Sequence, residues 1–229
     1  MTRRHDVPRY GPRMATPQGW IAKPGEDQFA HTFGGNSWDV SDKNNDLPKP
    51  ALVMTLDLND PRINLPRIDG LQSLPICSHI NCDAWTKTQT YQINPDHRRI
   101  NLVSENDSFY QLDEMDRFPT PLPDTRIVLD KMDREDYPVD EEMYWTACDR
   151  FLGSSSFIRV LGPPLWLQWA DEPTCECGIS TEYICSIGHE DYQQPSSIIP
   201  GRPFFIGEGA LYFFLCPRCL TVVVTSQPS

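Results

Sequence analysis

Residues 210–226 read ALYFFLCPRCLTVVVTS, two apolar, β-branched and aromatic runs joined by a cysteine knuckle. Residues 210–215 and 220–226 each have the length and composition of a strand. Between them, Cys216-Pro217-Arg218-Cys219 has the C-x2-C spacing that lets two nearby sulfurs bite one metal ion. A second pair lies upstream in Cys175-Glu176-Cys177-Gly178, one residue shorter than that spacing. Zinc takes four thiolates in a tetrahedron, and two knuckles brought together by strand pairing supply four. The expectation is therefore a structural Zn2+ on Cys175, Cys177, Cys216 and Cys219. The alternatives are a metal-free thiol cluster and a redox dithiol. Four cysteines fill the coordination shell, so such a zinc would stabilise the fold and leave no open position for Lewis-acid chemistry.

The remaining cysteines read differently. Cys185 falls inside a strand-like TEYICSI and reads as core. Cys148 lies on the apolar stripe of a helix and reads as a buried small hydrophobe. Cys77 and Cys82, with His79 between them, could contribute to a second metal site, although no second knuckle accompanies them in the first half of the chain.

Working outward, strand-like segments recur at 51–58, 71–77, 87–93, 100–103, 126–129, 157–161 and 181–187. One helix stands out. From Asp140 onward, Tyr144, Ala147, Cys148, Phe151 and Leu152 form one apolar stripe. Asp140, Glu141 and Glu142 sit in its first turn, where the helix dipole favours negative charge, and Gly153 is placed to stop it. Proline, at 22 of 229 residues, is about twice its usual share and cuts the chain into short elements, which excludes a long-helix bundle. The class read from this is α+β, predominantly β, with few helices.

The two halves echo each other. Phe33-Gly34-Gly35 with Trp38 resembles Leu161-Gly162-Pro163 with Trp166. Gly70 and Cys77 have the same spacing as Gly209 and Cys216, and both halves end a β-rich segment in Gln (Gln92, Gln227). This predicts an internal duplication, two similar sheet-containing halves packed face to face or edge to edge as one globular unit. The expected division is a poorly ordered lead-in over 1–28 and a first β-rich half over 29–104. An acidic connector with the helix follows over 105–156, then a second β-rich half with the cysteine site over 157–229.

The segment 160–229 resembles the YwqG-like family of domains of unknown function. It carries Leu161-Gly162-Pro163-Pro164-Leu165-Trp166-Leu167-Gln168, the Cys175–Cys177 knuckle, the strand 183–187 and Gly209-Ala210-Leu211-Tyr212-Phe213-Phe214. The ending Gln227-Pro228-Ser229 is similar to the family's Gln-Ser, and a similar cysteine-bearing half occurs in the programmed cell death protein 2 group. Pro163 and the shortened first knuckle depart from the pattern. The resemblance implies a duplicated β-rich fold and no established enzymatic activity. Some relatives are suspected immunity or partner-binding proteins of bacteria.

Charge narrows the function. The chain carries a net charge of -12. From Glu105 to Asp149 it has 14 acidic residues against Arg117, Arg126, Lys131 and Arg134. That surface repels phosphate backbones and anionic lipid, so neither nucleic acid nor membrane is an expected partner. The stretch reads first as a solvated acidic connector, and alternatively as a site for a basic protein partner. Residues 1–14 have no apolar segment of the kind a secretion signal needs, and the longest apolar run, 210–216, is too short to span a bilayer, so a cytoplasmic location is expected. No nucleophile elbow, HExxH, P-loop or dinucleotide fingerprint occurs. The reading is a non-enzymatic, zinc-stabilised protein-binding protein, possible as a bacterial immunity type. The competing reading is a hydrolase working through His189 with Glu190 and Asp191.

Overall fold

The computed structural model describes residues 18–41, 48–66, 68–83, 88–105, 110–111, 117–193, 195 and 197–229. Fourteen strands are described. They are β1 (Gly19–Pro24), β2 (Thr32–Phe33), β3 (Asp39–Ser41), β4 (Ala51–Asp57), β5 (Ser73–Ser78), β6 (Cys82–Asp83), β7 (Gln89–Asn94), β8 (Arg99–Glu105), β9 (Tyr110–Gln111), β10 (Thr125–Lys131), β11 (Ile158–Leu161), β12 (Glu182–Ile187), β13 (Gly209–Cys216) and β14 (Thr221–Pro228). One α-helix, α1 (Glu141–Phe151), joins them. The chain is α+β and predominantly β.

Twelve strands form a single sheet in the order β3-β8-β7-β14-β13-β12-β11-β1-β10-β2-β4-β5, antiparallel throughout except for the edge pair β3–β8. The sheet curls until β5 reaches the start of β7. Gln89 staples that seam. Its buried side-chain oxygen accepts the His79 backbone N–H at 3.0 Å and the Ser78 and Tyr91 hydroxyls. The two short strands β6 and β9 pair with each other beside it.

The duplication is visible in the register. Phe33 of β2 faces Met54 of β4, and Val160 of β11 faces Cys185 of β12. One residue before each of those partners the ladder is bulged, at Val53 against β5 and at Ile184 against β13. Equivalent bulges in equivalent strands make β2-β4-β5 and β11-β12-β13 two copies of one unit, joined in the sheet through β1 and β10. A left-handed pair follows each entry strand, Gly34-Gly35 at φ 73° and 83° and Leu161-Gly162 at 55° and 70°. The sequence repeat is thus one residue displaced from Phe33-Gly34-Gly35 against Leu161-Gly162-Pro163, because backbone handedness recurs there rather than side-chain identity. Pro163 lies outside the left-handed pair and leaves the turn intact. Gly34 has no such latitude, since a Cβ there would meet the Pro123 carbonyl oxygen at 2.2 Å. The spacing match of Cys77 with Cys216 is also displaced. Carried through the bulges, Cys77 takes the register position of Phe214 rather than that of Cys216.

The division into segments changes accordingly. Residues 19–24, expected within the lead-in, are β1 at the centre of the sheet, paired with β10 on one side and β11 on the other. The sequence gives no hint of this because GWIAKP is short and set among Pro, Arg and Gly. The acidic connector contributes β10, which pairs with β2. Each half therefore takes its neighbouring strand from outside its own segment.

Both faces of β13 are covered, which explains its unbroken apolar sequence. Leu211, Phe213 and Leu215 point into the main core with Val222 and Val224. Ala210, Tyr212 and Phe214 point the other way, against Tyr144, Ala147, Cys148 and Phe151 of α1 and against Trp166. These are the stripe residues read from sequence, save Leu152, which is the helix C-cap. Asp140 caps the helix by accepting the Met143 N–H at 2.9 Å.

Candidate metal centre

The knuckles are built by turn chemistry at the ends of β12–β14. In the first, Thr174 bridges Ser180, Cys175 N–H donates to the Ile179 carbonyl at 3.0 Å, and Gly178 N–H donates to Cys175 at 2.8 Å. Gly178 takes φ 80°, which closes this tight loop and turns both sulfurs inward. In the second, the β13–β14 hairpin turns over residues 217–220, with Leu220 N–H donating to the Cys216 carbonyl at 3.0 Å. Strand β12 pairs with β13, so the segment ahead of β12 is carried to that same hairpin end.

The donor sulfurs of Cys175, Cys177, Cys216 and Cys219 lie within 4.8 Å of one another. Cys177 Sγ and Cys216 Sγ are 3.7 Å apart. A tetrahedron with metal–sulfur bonds of about 2.3 Å has edges of about 3.8 Å. The separation fits that edge and is far too long for a disulfide, whose sulfurs sit at about 2.05 Å. All four cysteines are free thiols. The sulfurs of the first knuckle fall within the same 4.8 Å as those of the second, and the four together could hold a metal.

Cys175 and Cys216 are buried, while Cys177 and Cys219 are partly exposed. Burial opposes ionisation of Cys175, but hydrogen bonds from the Cys177 N–H and the Thr221 hydroxyl overcome it and bring the thiol down to about 7. Neighbouring thiols act the other way on Cys219, which the Cys177 side chain above all pushes up to about 12. Cys216 is raised, chiefly by burial. One thiolate forms readily and discourages the others, so a cation is what would let all four ionise together.

Two supporting residues escape sequence reading. Thr221 places its hydroxyl 3.6 Å from Cys175 Sγ. Gln92, on β7 of the first half, donates through Nε2 to the carbonyls of Cys219 at 2.7 Å and Leu220 at 3.2 Å, and Ile93 N–H donates to Leu220 at 2.8 Å. The knuckle is therefore braced by the other half of the molecule. The terminal Gln of each half was the only sequence signal. Gln227 plays the matching part, accepting Leu167 and Gln168 N–H groups and donating to the Trp169 carbonyl.

The other sequence-derived sites are arranged differently. Among the described residues the four-cysteine group is the one place where at least three such donors converge. Cys77 is sealed in the core, where burial holds its thiol well above the ordinary range. His79 turns Nδ1 to the Pro48 carbonyl at 3.0 Å, and Cys82 is buried on β6. His189, Glu190 and Asp191 diverge. His189 packs edge-on against Phe205, and burial lowers its pKa. Glu190 is buried and accepts the Phe204 N–H at 2.7 Å and the Ile198 N–H at 3.4 Å. Asp191 caps Gln193. A histidine–carboxylate pair that sequence reading missed, His31 and Asp60, is joined at 2.7 Å. Both side chains are sealed from solvent and Asp60 is held by Arg62, so the pair organises the fold.

A search against protein-family models gives no match, and no solved structure matches. The chain is 28% identical over 92 residues to uncharacterized protein YpfL of Salmonella typhimurium, a match covering 40% of this chain. It spans about a fifth (19%) of that relative's length. Among the described residues no helix is long and apolar enough to cross a membrane.

Proposed function

We propose that this protein is a non-enzymatic, zinc-stabilised binding protein of the YwqG-like kind that captures a basic protein partner in the cytoplasm. The observation that carries the reading is the composition of one surface. Asp133, Glu135, Asp140, Glu141, Glu142 and Asp149 are exposed along α1 and the segment before it. Among them stand Val139 and Trp145, 70% and 43% exposed. Arg150 pairs with Asp133 and Glu135, so among the described residues the acids left without an ion pair are Asp140, Glu141, Glu142 and Asp149. An exposed aromatic beside such acids suits a protein interface, and the acids speed capture of a cation-rich surface. Zinc, preferred by the all-sulfur donor set, would hold the β13–β14 hairpin end of the second half rigid. Neutralisation of a basic toxin or nuclease is the activity that suits such a face.

The test is affinity capture from the native host with the wild-type chain and with a Glu141→Lys, Glu142→Lys, Asp149→Lys variant, each melted beforehand to confirm folding. A basic protein retained by the first and lost from the second supports the proposal. A partner set unchanged by charge reversal rejects it.

A further inference from the structure

The duplication exposes a second site by comparison of the two halves. In the second half, the outer face at the left-handed pair is closed. Arg159 of β11 is buried there under Asp136, Pro138 and Tyr144, and its guanidinium donates to the Asp136 carbonyl at 2.8 Å. The residue equivalent to Arg159 in the first half is Thr32, and among the described residues no helix lies over it. The same place is an open cleft of about 350 Å3.

The floor of this cleft is a row running across three strands. Arg126 of β10 faces Thr32 of β2, and Thr32 faces Thr55 of β4. Thr55 Oγ1 lies 3.3 Å from Ser37 Oγ, and the Ser37 carbonyl accepts Arg98 Nε at 3.0 Å. The row is thus hydroxyls with a guanidinium at each end. Asp57, Asn59, Gln72, Ser73 and Asp124 complete the wall.

Much of this chemistry is unspent. Arg98 uses only Nε, with its plane over Trp38, and Arg126 uses only Nη2, on the Phe29 carbonyl. Among the described residues the other guanidinium N–H groups, the Thr32 and Ser73 hydroxyls and the Asp124 carboxylate have no hydrogen-bond partner. No large apolar side chain lines the cleft, which favours a polar ligand. Guanidinium groups recognise carboxylate or phosphate, and neighbouring carboxylates, amides and hydroxyls pair with ligand hydroxyls.

We infer that the cleft between Arg98 and Arg126 binds a small polyhydroxylated anion of the sugar-phosphate or sugar-acid class. The anionic group sits on a guanidinium, and the ligand hydroxyls lie along Thr32 and Thr55 and against Asp57, Asn59 and Asp124. This site is separate from the cysteine centre and from the acidic face.

The experiment is ligand-observed NMR on the full chain with glucose 6-phosphate, ribose 5-phosphate and glucuronate, with glucose and inorganic phosphate as controls. The expected result is saturable binding of at least one of the three, stronger than either control. Arg98→Ala and Thr32→Val should each weaken it about tenfold or more, the loss of one or two hydrogen bonds to an anionic ligand. Arg98 braces the Ser37 carbonyl and covers Trp38, so each variant is first melted and compared with wild type to confirm that it is folded. Three results overturn the inference: no saturable binding by any of the three, binding no stronger than that of phosphate alone, or binding that survives both substitutions in folded protein.

Discussion

Cys216 and Cys148 are both buried cysteines, yet their surroundings set different consequences for replacement. Cys216 shares a cluster with three other sulfurs, whereas Cys148 packs on α1 with its thiol pushed up to about 12 by burial. Cys216→Ser should cost about 4 kcal/mol, roughly 10 °C or more in Tm, because it breaks a metal shell. Cys148→Ala, which removes one sulfur from a packed stripe, should cost about 1 kcal/mol. Equal melting temperatures would reject a metal role. Asp57 offers a test against pH. Burial opposes its ionisation, but N–H groups of Ala30 and Asn59 overcome this and lower its pKa. A lowered folded-state pKa adds stability above the unfolded value, near 3.9, and loses it as pH falls through the folded value. Asp57→Asn should therefore destabilise at pH 7, and the gap should begin to close only as pH falls past the unfolded value and vanish only below the lower folded value, as followed by denaturant titrations. The knuckle cysteines were legible because ligand spacing is a local property. Gln92 was not, since it acts only once β7 meets β14 and the two halves join, and Thr221 was not, since it reaches Cys175 only when β14 folds back beside the first knuckle.

At the scale of elements, α1 separates packing from exposure. Phe151 is 1% exposed against the outer face of β13, while Trp145 on the same helix faces solvent. Phe151→Ala should cost about 3–5 kcal/mol in chemical denaturation. Trp145→Ala should leave the midpoint nearly unchanged and yet weaken partner capture. A large stability loss at Trp145 would reassign it to packing. The helix was readable because its stripe keeps the helical period and its N-cap is a local signal. Strands β4, β12, β13 and β14 were readable from apolar runs, to within about two residues. Strand β1 was not: six residues ending in proline have little pattern of their own, and pairing with β10 and β11 makes them a strand. The matched bulges at Val53 and Ile184 were equally silent, because a bulge is a relation between two strands and leaves no mark in either alone.

At the scale of the whole molecule, a metal on the four cysteines is testable directly. Purified protein should contain close to one zinc per chain by elemental analysis, and a strong chelator should lower Tm markedly; an unchanged cooperative melt in metal-free protein would reject the stabilising role. The repeat predicted from sequence is present, but the junction between copies was not legible there, since β1 and β10 cross over to pair with β11 and β2. That exchange has a consequence for biosynthesis. Gly19 cannot find its partner Leu161 until most of the chain has left the ribosome, and the β7–β14 ladder waits longer still. The first copy therefore emerges with strand edges that stay unpaired until late in synthesis, a window in which they are open to pairing with other chains.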